Sequence, residues 1–428
     1  QKKYDSYDIN YELFNFTFDI LKYYNLSNLV ITRAGSSALA ELLNCNIPII
    51  SIPLPSSSEN HQLKNAQYFM SKGFGIMVEE KNVKNKLFNL LQTMHKDKSM
   101  MCFGLGVTDP KHIFGTTHGL EENFGSQRVF DMPTSENAMT GISIGAALNG
   151  VRSIVSHQRL DFFLLAMDQL VNGAAKYYYM YGSKMSVPIT IRLIIGRGWG
   201  QGPTHSQNLQ AWFAHIPGLK VVMPSTSEDA RNLLIASIFD PNPVLFLEHR
   251  WLHETIGEVS EDIKIEKPIQ SKVIRKGKDV TIVSMSYMTI ESIHAANFLS
   301  ERLKIESDII DLRSIKPINW DPIISSLKKT GQLVVVDSGF TTGSVAGEII
   351  AYIATNYFKL LKCPPIRLAM PDVPEPTSAA LTKDFYIRAR EIAQSISKSI
   401  LNDTSIVDEE LKNPEPHDIP GDWFKGPF

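Results

Sequence analysis

Glu136 is the residue around which chemistry could be organised in this sequence. It stands in the run MPTSENAMTG (residues 132–141), where a proline and a Thr-Ser pair precede an apolar helical pattern of Ala138, Met139, Ile142 and Ile144. That pattern places its carboxyl at a helix start, at the end of a loop, where it can face a ligand. Two local readings stand side by side. Either Ser135 caps the first turn and the helix dipole favours a glutamate just inside it, or the carboxyl does acid–base work. A second candidate is His205 in GPTHSQ, after the glycine run GRGWGQG (residues 196–202). Those glycines recur at every second position, which is neither dinucleotide-binding nor P-loop spacing. The run therefore reads as a flexible active-site loop, and its histidine as surface decoration or a proton shuttle. His215, after Trp212 and Phe213, reads as structural. A third candidate is the turn Gly35-Ser36-Ser37, which presents backbone N–H groups at a helix N-terminus and suits a phosphate; an ordinary strand-to-helix turn is the alternative.

The elements that must position these groups are those of an α/β protein. Residues 28–55 read as strand, helix and strand, with Ala38, Leu39, Leu42 and Leu43 on one helix side. Residues 83–94 carry apolar positions at helical spacing and end at the charged HKDKS segment. From residue 99, strand-like runs at 153–156, 188–195, 220–223 and 243–247 alternate with helical patterns near 139–148, 162–181, 209–215 and 227–239. This predicts a parallel, doubly wound sheet. A polar stretch, 258–278, leads to a smaller α/β unit with a helix to about residue 303 and another over 344–361. The polar tail from Asn402 ends in PGDWFKGPF, whose aromatics predict docking on a neighbour. No linker rich in Pro, Gly or Ser separates the first quarter of the chain from the rest.

Composition narrows the function classes. The chain has 428 residues, 43% of them hydrophobic, and a formal net charge of −2, so it offers no basic field for nucleic acid. Three dispersed cysteines, Cys45, Cys102 and Cys363, argue against a disulfide framework or a zinc site and fit a reducing compartment, by default the cytoplasm. No apolar run reaches the roughly 18 to 20 residues of a membrane span. The chain opens at Gln1, from which a lost N-terminus is expected.

Three further segments, FGSQRVFDMPTSENAMTGISIGAALNG, DFFLLAMDQLVNGAAKYYYMYG and GQGPTHSQNLQAWFAHIPGLKVVMPSTSEDARNLL, resemble in order the β subunit of the thiamine diphosphate-dependent 2-oxo acid dehydrogenases, of pyruvate and branched-chain type. IDLRSIKPIN and PDVPEPTSAAL resemble the transketolase C-terminal domain. The resemblance implies a transketolase-like pyrimidine-binding domain over residues 99–265 and a smaller C-terminal domain with the tail over 266–428. It gives Glu136 the task of protonating the cofactor aminopyrimidine, which a desolvated carboxyl with a raised pKa can do. It places Phe162 against the pyrimidine face, Gln158 among the cofactor-binding residues, and His205 beside the reacting carbon. The superfamily's G-D-G motif for the diphosphate and magnesium is missing, so the resemblance implies no metal ligand here. It assigns those groups to an α-type partner in a heterotetramer, active on a small 2-oxo acid and able to contact a lipoyl acyltransferase core. Some family members hold a monovalent cation on backbone carbonyls near a segment like SIFDPNP (residues 237–243), which leaves no side-chain signature. The sequence departs from the family in CFGLGVTDP, where an acidic GED segment is typical, and at Ser156, His157 and Arg159.

TRAGSSALAELL followed by IPLPSSSENHQLKNAQYF resembles the C-terminal half of the MurG-type UDP-N-acetylglucosamine transferase. That resemblance implies a partial GT-B-type segment over residues 1–98. Gly35, Ser36 and Ser37 would face the UDP diphosphate, Glu41 the ribose, and Gln62 and Asn65 the sugar hydroxyls. The acceptor-binding half of such enzymes has no counterpart here, so no transferase activity is expected. The alternative function is thus a non-catalytic nucleotide-sugar remnant in a fused or chimeric reading frame.

Overall fold

The computed structural model describes residues 17, 19–27, 30–45, 49–53, 61–71, 75–77, 94, 97–198, 200–260, 270–417, 419–421 and 424. The chain divides into two compact units, Gln1–Phe88 and Asn89–Phe428.

In the first unit a helix at Ile20–Leu26 precedes β1 (Val30–Thr32), the helix Ser36–Asn44, β2 (Ile49–Ser51), the helix His61–Ser71 and β3 (Gly75–Met77). The three strands are parallel in the order β1-β2-β3. Leu39 and Leu42, three apart on one helix face, bury against Ala34, Ile49 and Ala66. The helix expected over residues 83–94 lies outside the described residues except for Met94, which is helical and buried.

The second unit contains β4 (Met100–Gly104), β5 (Val129–Asp131), β6 (Arg152–His157), β7 (Ile189–Ile195), β8 (Lys220–Val222) and β9 (Val244–His249), then β10 (Lys272–Arg275), β11 (Val280–Ser284), β12 (Ser307–Asp311), β13 (Ser314–Lys316), β14 (Leu333–Phe340) and β15 (Ile366–Met370). They form a sheet of order β13-β8-β9-β7-β6-β4-β5 and another of order β10-β12-β11-β14-β15. Every residue of central β7 is buried, as a strand covered on both faces must be.

The sheets are parallel except at one edge each, where β13 runs antiparallel to β8 and β10 antiparallel to β12. This refines the all-parallel expectation. Only two residues separate β12 from β13, so the chain passes directly from one sheet to the edge of the other.

Two further expectations are corrected. The single helix expected over 162–181 is broken into an α-turn at Leu160–Phe163, a 3₁₀ turn at Leu164–Ala166, a π-turn at Gln169–Ala174 and a helix at Ala175–Met180. The π-turn packs against the helix Glu136–Leu148, and a Cβ on its Gly173 would stand 3.3 Å from Ile144 Cδ1. The helix expected over 344–361 stops at Asn356 and is followed by a short 3₁₀ turn at Phe358–Leu360. Of the aromatics in the tail segment, Phe424 is described: it is buried with Trp251 and Tyr287, and the Arg250 guanidinium lies 5.1 Å from its ring, while Trp423 and Phe428 lie outside the described residues.

Candidate active site

The helix Glu136–Leu148 starts at the carboxyl ends of the parallel strands, because the loop after β5 is anchored there by Met132 N–H donating to Gly104 O at 2.9 Å. Gly104 has φ +155°, and a Cβ on it would fall 1.9 Å from Ser156 O, so only glycine admits this approach of β4 to β6. Met139, Thr140, Ser143 and Ile144 bury one helix face. Glu136, at the helix start, is 5% exposed, and among the described residues its carboxyl makes no hydrogen bond or ion pair. Ser135 occupies the cap position, yet its hydroxyl donates to Asn137 Oδ1 at 2.8 Å and caps no backbone N–H. The capping expected of it is therefore corrected. The helix start carries a carboxyl with unused hydrogen-bonding capacity.

The turn Leu160–Phe163 packs against that helix. It brings Phe162, 39% exposed, edge-to-face with His205, with centroids 5.1 Å apart and planes at 88°. Thr204 Oγ1 lies 3.0 Å from His205 Nδ1, which leaves Nε2 as the nitrogen able to exchange a proton with a ligand. Gln207 Nε2 donates to Asp161 Oδ1 at 2.9 Å and fixes the two short segments to each other. Gln158 is exposed and reaches Asp109 Oδ2 at 3.4 Å, lying over Gly106.

In this structure the glycine-rich run makes close contacts with the elements around it. A Cβ on Gly196 would lie 2.3 Å from His249 Nε2, and one on Gly202 would lie 2.3 Å from Thr377 Oγ1. Gly198 O accepts from Trp251 Nε1 at 2.9 Å. The two-residue spacing thus records close approaches on the extended run. Arg159, 5% exposed, donates to Gly196 O at 2.9 Å and to Gln201 Oε1; burial pushes its pKa down to about 10.

Sequence reasoning flagged Ser156, His157 and Arg159 as departures beside the site. In the structure Ser156 and His157 turn into the core, each about 1% exposed. Burial holds the His157 imidazole at about 3, hence neutral, edge-on to Phe163 at 4.9 Å. Sequence reasoning missed Gln201, Trp251 and Thr377, whose roles here depend on contacts with residues distant in sequence.

The carbonyls of residues 238 and 240, in the SIFDPNP segment, both accept from Arg152 Nη1. Asp240 also pairs with Lys220 Nζ. Among the described residues, no group of three or more His, Cys, Asp or Glu could hold a metal ion.

In the first unit, Gly35 leads directly into the helix Ser36–Asn44, and Asn65 Nδ2 lies 3.5 Å from Ala34 O, so the expected phosphate turn and one expected sugar residue are neighbours. Glu41 is exposed and Gln62 half-buried, while the side chains of Ser36 and Ser37 lie outside the described residues.

Comparison with known proteins agrees with this geometry. Residues 89–254 match the transketolase pyrimidine-binding domain, residues 270–392 the transketolase C-terminal domain, and residues 1–101 the glycosyltransferase family 28 C-terminal domain. The chain is 38% identical to the pyruvate dehydrogenase E1 component subunit beta of Rhizobium meliloti, over 72% of this chain and 67% of that protein. It is also 38% identical to the mitochondrial pyruvate dehydrogenase E1 subunit beta-1 of Arabidopsis thaliana, over 77% and 92%. With the beta subunit of acetoin:2,6-dichlorophenolindophenol oxidoreductase from Cupriavidus necator it shares 39% identity over 67% and 85%. A solved structure titled a split-gene transketolase, inactive beta4 tetramer, superposes with a TM-score of 0.60 at 20% identity, over 73% of this chain and 95% of that one, which shows the shared fold. By these relatives, the chain belongs to the family of pyruvate dehydrogenase E1 component β subunits.

Proposed function

We propose that the chain is the β-type subunit of a thiamine diphosphate-dependent 2-oxo acid dehydrogenase, with residues 99–265 as its pyrimidine-binding domain and 266–428 as its C-terminal domain. The observation that carries this reading is Glu136, a nearly buried carboxyl without a protein partner at a helix start, in a chain 35–38% identical to pyruvate dehydrogenase E1 β subunits. The residues present fit the pyrimidine end of the cofactor. Glu136 holds a proton toward the ring nitrogen, and Phe162 offers an exposed aromatic face. Once its aminopyrimidine is protonated, bound thiamine diphosphate supplies a carbon nucleophile for the keto group of the substrate. His205, braced at Nδ1 by Thr204 and along its edge by Phe162, orients the substrate and moves a proton at Nε2.

The diphosphate and magnesium fall to an α-type partner in a heterotetramer, with a lipoyl acyltransferase core as a further contact. Ile142, Leu165, Tyr179 and Trp212 are more than half exposed and support a covered surface around the site. No helix among the described residues is long and apolar enough to cross a membrane, and three free cysteines fit the reducing cytoplasm. Residues 1–98 are assigned as a nucleotide-sugar remnant built around the Gly35 turn.

A Glu136→Gln exchange in the complex with the partner tests the reading. Turnover drops on the order of a hundredfold or more while assembly persists; unchanged turnover would remove Glu136 from the mechanism.

A further inference from the structure

Glu375, in the segment PDVPEPTS, is 1% exposed, and neither of its carboxyl oxygens has a hydrogen-bond partner. A carboxylate in that setting bears the full cost of desolvation, whereas a neutral carboxylic acid does not. The two residues that follow it lie on the glycine-rich run. Arg197 Nη1 donates to Pro376 O at 3.2 Å, and a Cβ on Gly200 would stand 3.8 Å from Thr377 O, where one on Gly202 would collide with Thr377 Oγ1. Glu375 is thus buried where the second sheet's domain meets the loop that carries His205. We propose that Glu375 is a positioning residue whose buried side chain holds the glycine-rich loop, and with it His205, against the C-terminal domain.

The charged groups around it are consistent with a neutral resting form. Burial, and then the negative charge of Asp161 on the turn that carries Phe162, lift Glu375 to about 7. The neighbouring guanidinium groups are engaged elsewhere, Arg159 by Gly196 and Gln201, and Arg197 by Pro376 and the Tyr386 ring. On Glu375's own segment, Asp372 is bonded to Thr342. When the loop lifts, water reaches the carboxyl and its affinity for a proton falls back to the ordinary carboxylate range. Closure therefore binds a proton, is favoured at low pH, and weakens as pH rises toward and through 7. The consequence for catalysis rests on the role proposed for His205; the loop contact does not.

Hydrogen–deuterium exchange on the full chain, read in peptides covering residues 196–207 at pH 6 and pH 8 and corrected for intrinsic exchange, tests this without cofactor, partner or turnover. For a carboxyl moving from about 7 when closed to the ordinary 4.5 when open, loop opening in the wild type rises about tenfold between the two pH values. In Glu375→Gln, whose side chain has the same shape and no titration, opening stays flat. A flat wild type, or the same rise in Glu375→Gln, overturns the proposal. Loss of the role proposed for Glu136 would leave these exchange data unchanged, so the two readings fail separately.

Discussion

Phe162 and His205 meet edge to face at 5.1 Å, so their contributions to turnover are coupled. In the assembled complex, His205→Gln lowers kcat on the order of a hundredfold, as loss of a positioned proton carrier does. Phe162→Ala weakens cofactor binding and also frees the histidine ring. The double variant therefore loses less than the product of the two single losses. A cycle of kcat/KM values checks this, and strictly multiplicative losses would mean the rings act separately. Arg152 belongs to the same scale. Its guanidinium bridges the carbonyls of residues 238 and 240, so Arg152→Ala leaves two inward carbonyls unpaired and lowers stability by about 1–3 kcal/mol, measured by urea unfolding.

At the scale of the element, the glycine-rich run shows how backbone space sets a loop. Gly202 has φ +71° and its Cβ position collides with Thr377 Oγ1, whereas Gly200, with φ +40°, has nothing closer than 3.8 Å. Gly202→Ala consequently costs on the order of 1–3 kcal/mol and Gly200→Ala about 1, from the left-handed backbone alone. Thr377→Ala restores part of the loss at residue 202 and none at 200. Equal costs at both positions in denaturant melts would show that the Thr377 contact is unimportant.

At the scale of the molecule, the two sheets of the second unit are joined through a buried polar cluster. Arg313 pairs with Asp229 at 2.7 Å, Met223 N–H donates to Arg313 O at 2.8 Å, and Ser225 donates to Asp311. Burial, and then the negative charge of Asp229, raise Asp311 from 3.8 to about 7. A carboxyl that binds its proton more tightly in the folded state stabilises the fold at low pH. That contribution fades as pH rises from about 4 to about 7 and is level above. Its ceiling is on the order of 4 kcal/mol. Asp311→Asn flattens this part of the stability–pH curve; an unchanged curve would place the proton elsewhere. The two units themselves meet between residues 88 and 89. If they form one polypeptide in the source cells, trypsin releases the peptide of residues 87–96. Recovery of peptides from both sides without this one would mean two separate chains.

Local pattern in the sequence was enough to place Glu136 at a helix start, to lay out two α/β domains with a sugar-nucleotide-like segment ahead of them, and to name the family. Capping residues, apolar periodicity and motif order are all properties of neighbouring residues. The helix over 227–239 was legible to its ends because Thr226 caps it through its own neighbour Asp229. Other features depended on residues distant in sequence. The helix expected over 162–181 is broken where it packs against the helix Glu136–Leu148, and β13 closes a sheet edge beside β8, a strand distant in sequence. The glycine spacing of 196–202 suggested mobility, and only the tertiary structure showed His249, Trp251 and Thr377 lying against the run. Glu375 stands in the segment PDVPEPTS, and nothing in the sequence singled it out. Only the tertiary structure buried it without a partner, because burial sums contacts that no stretch of sequence contains.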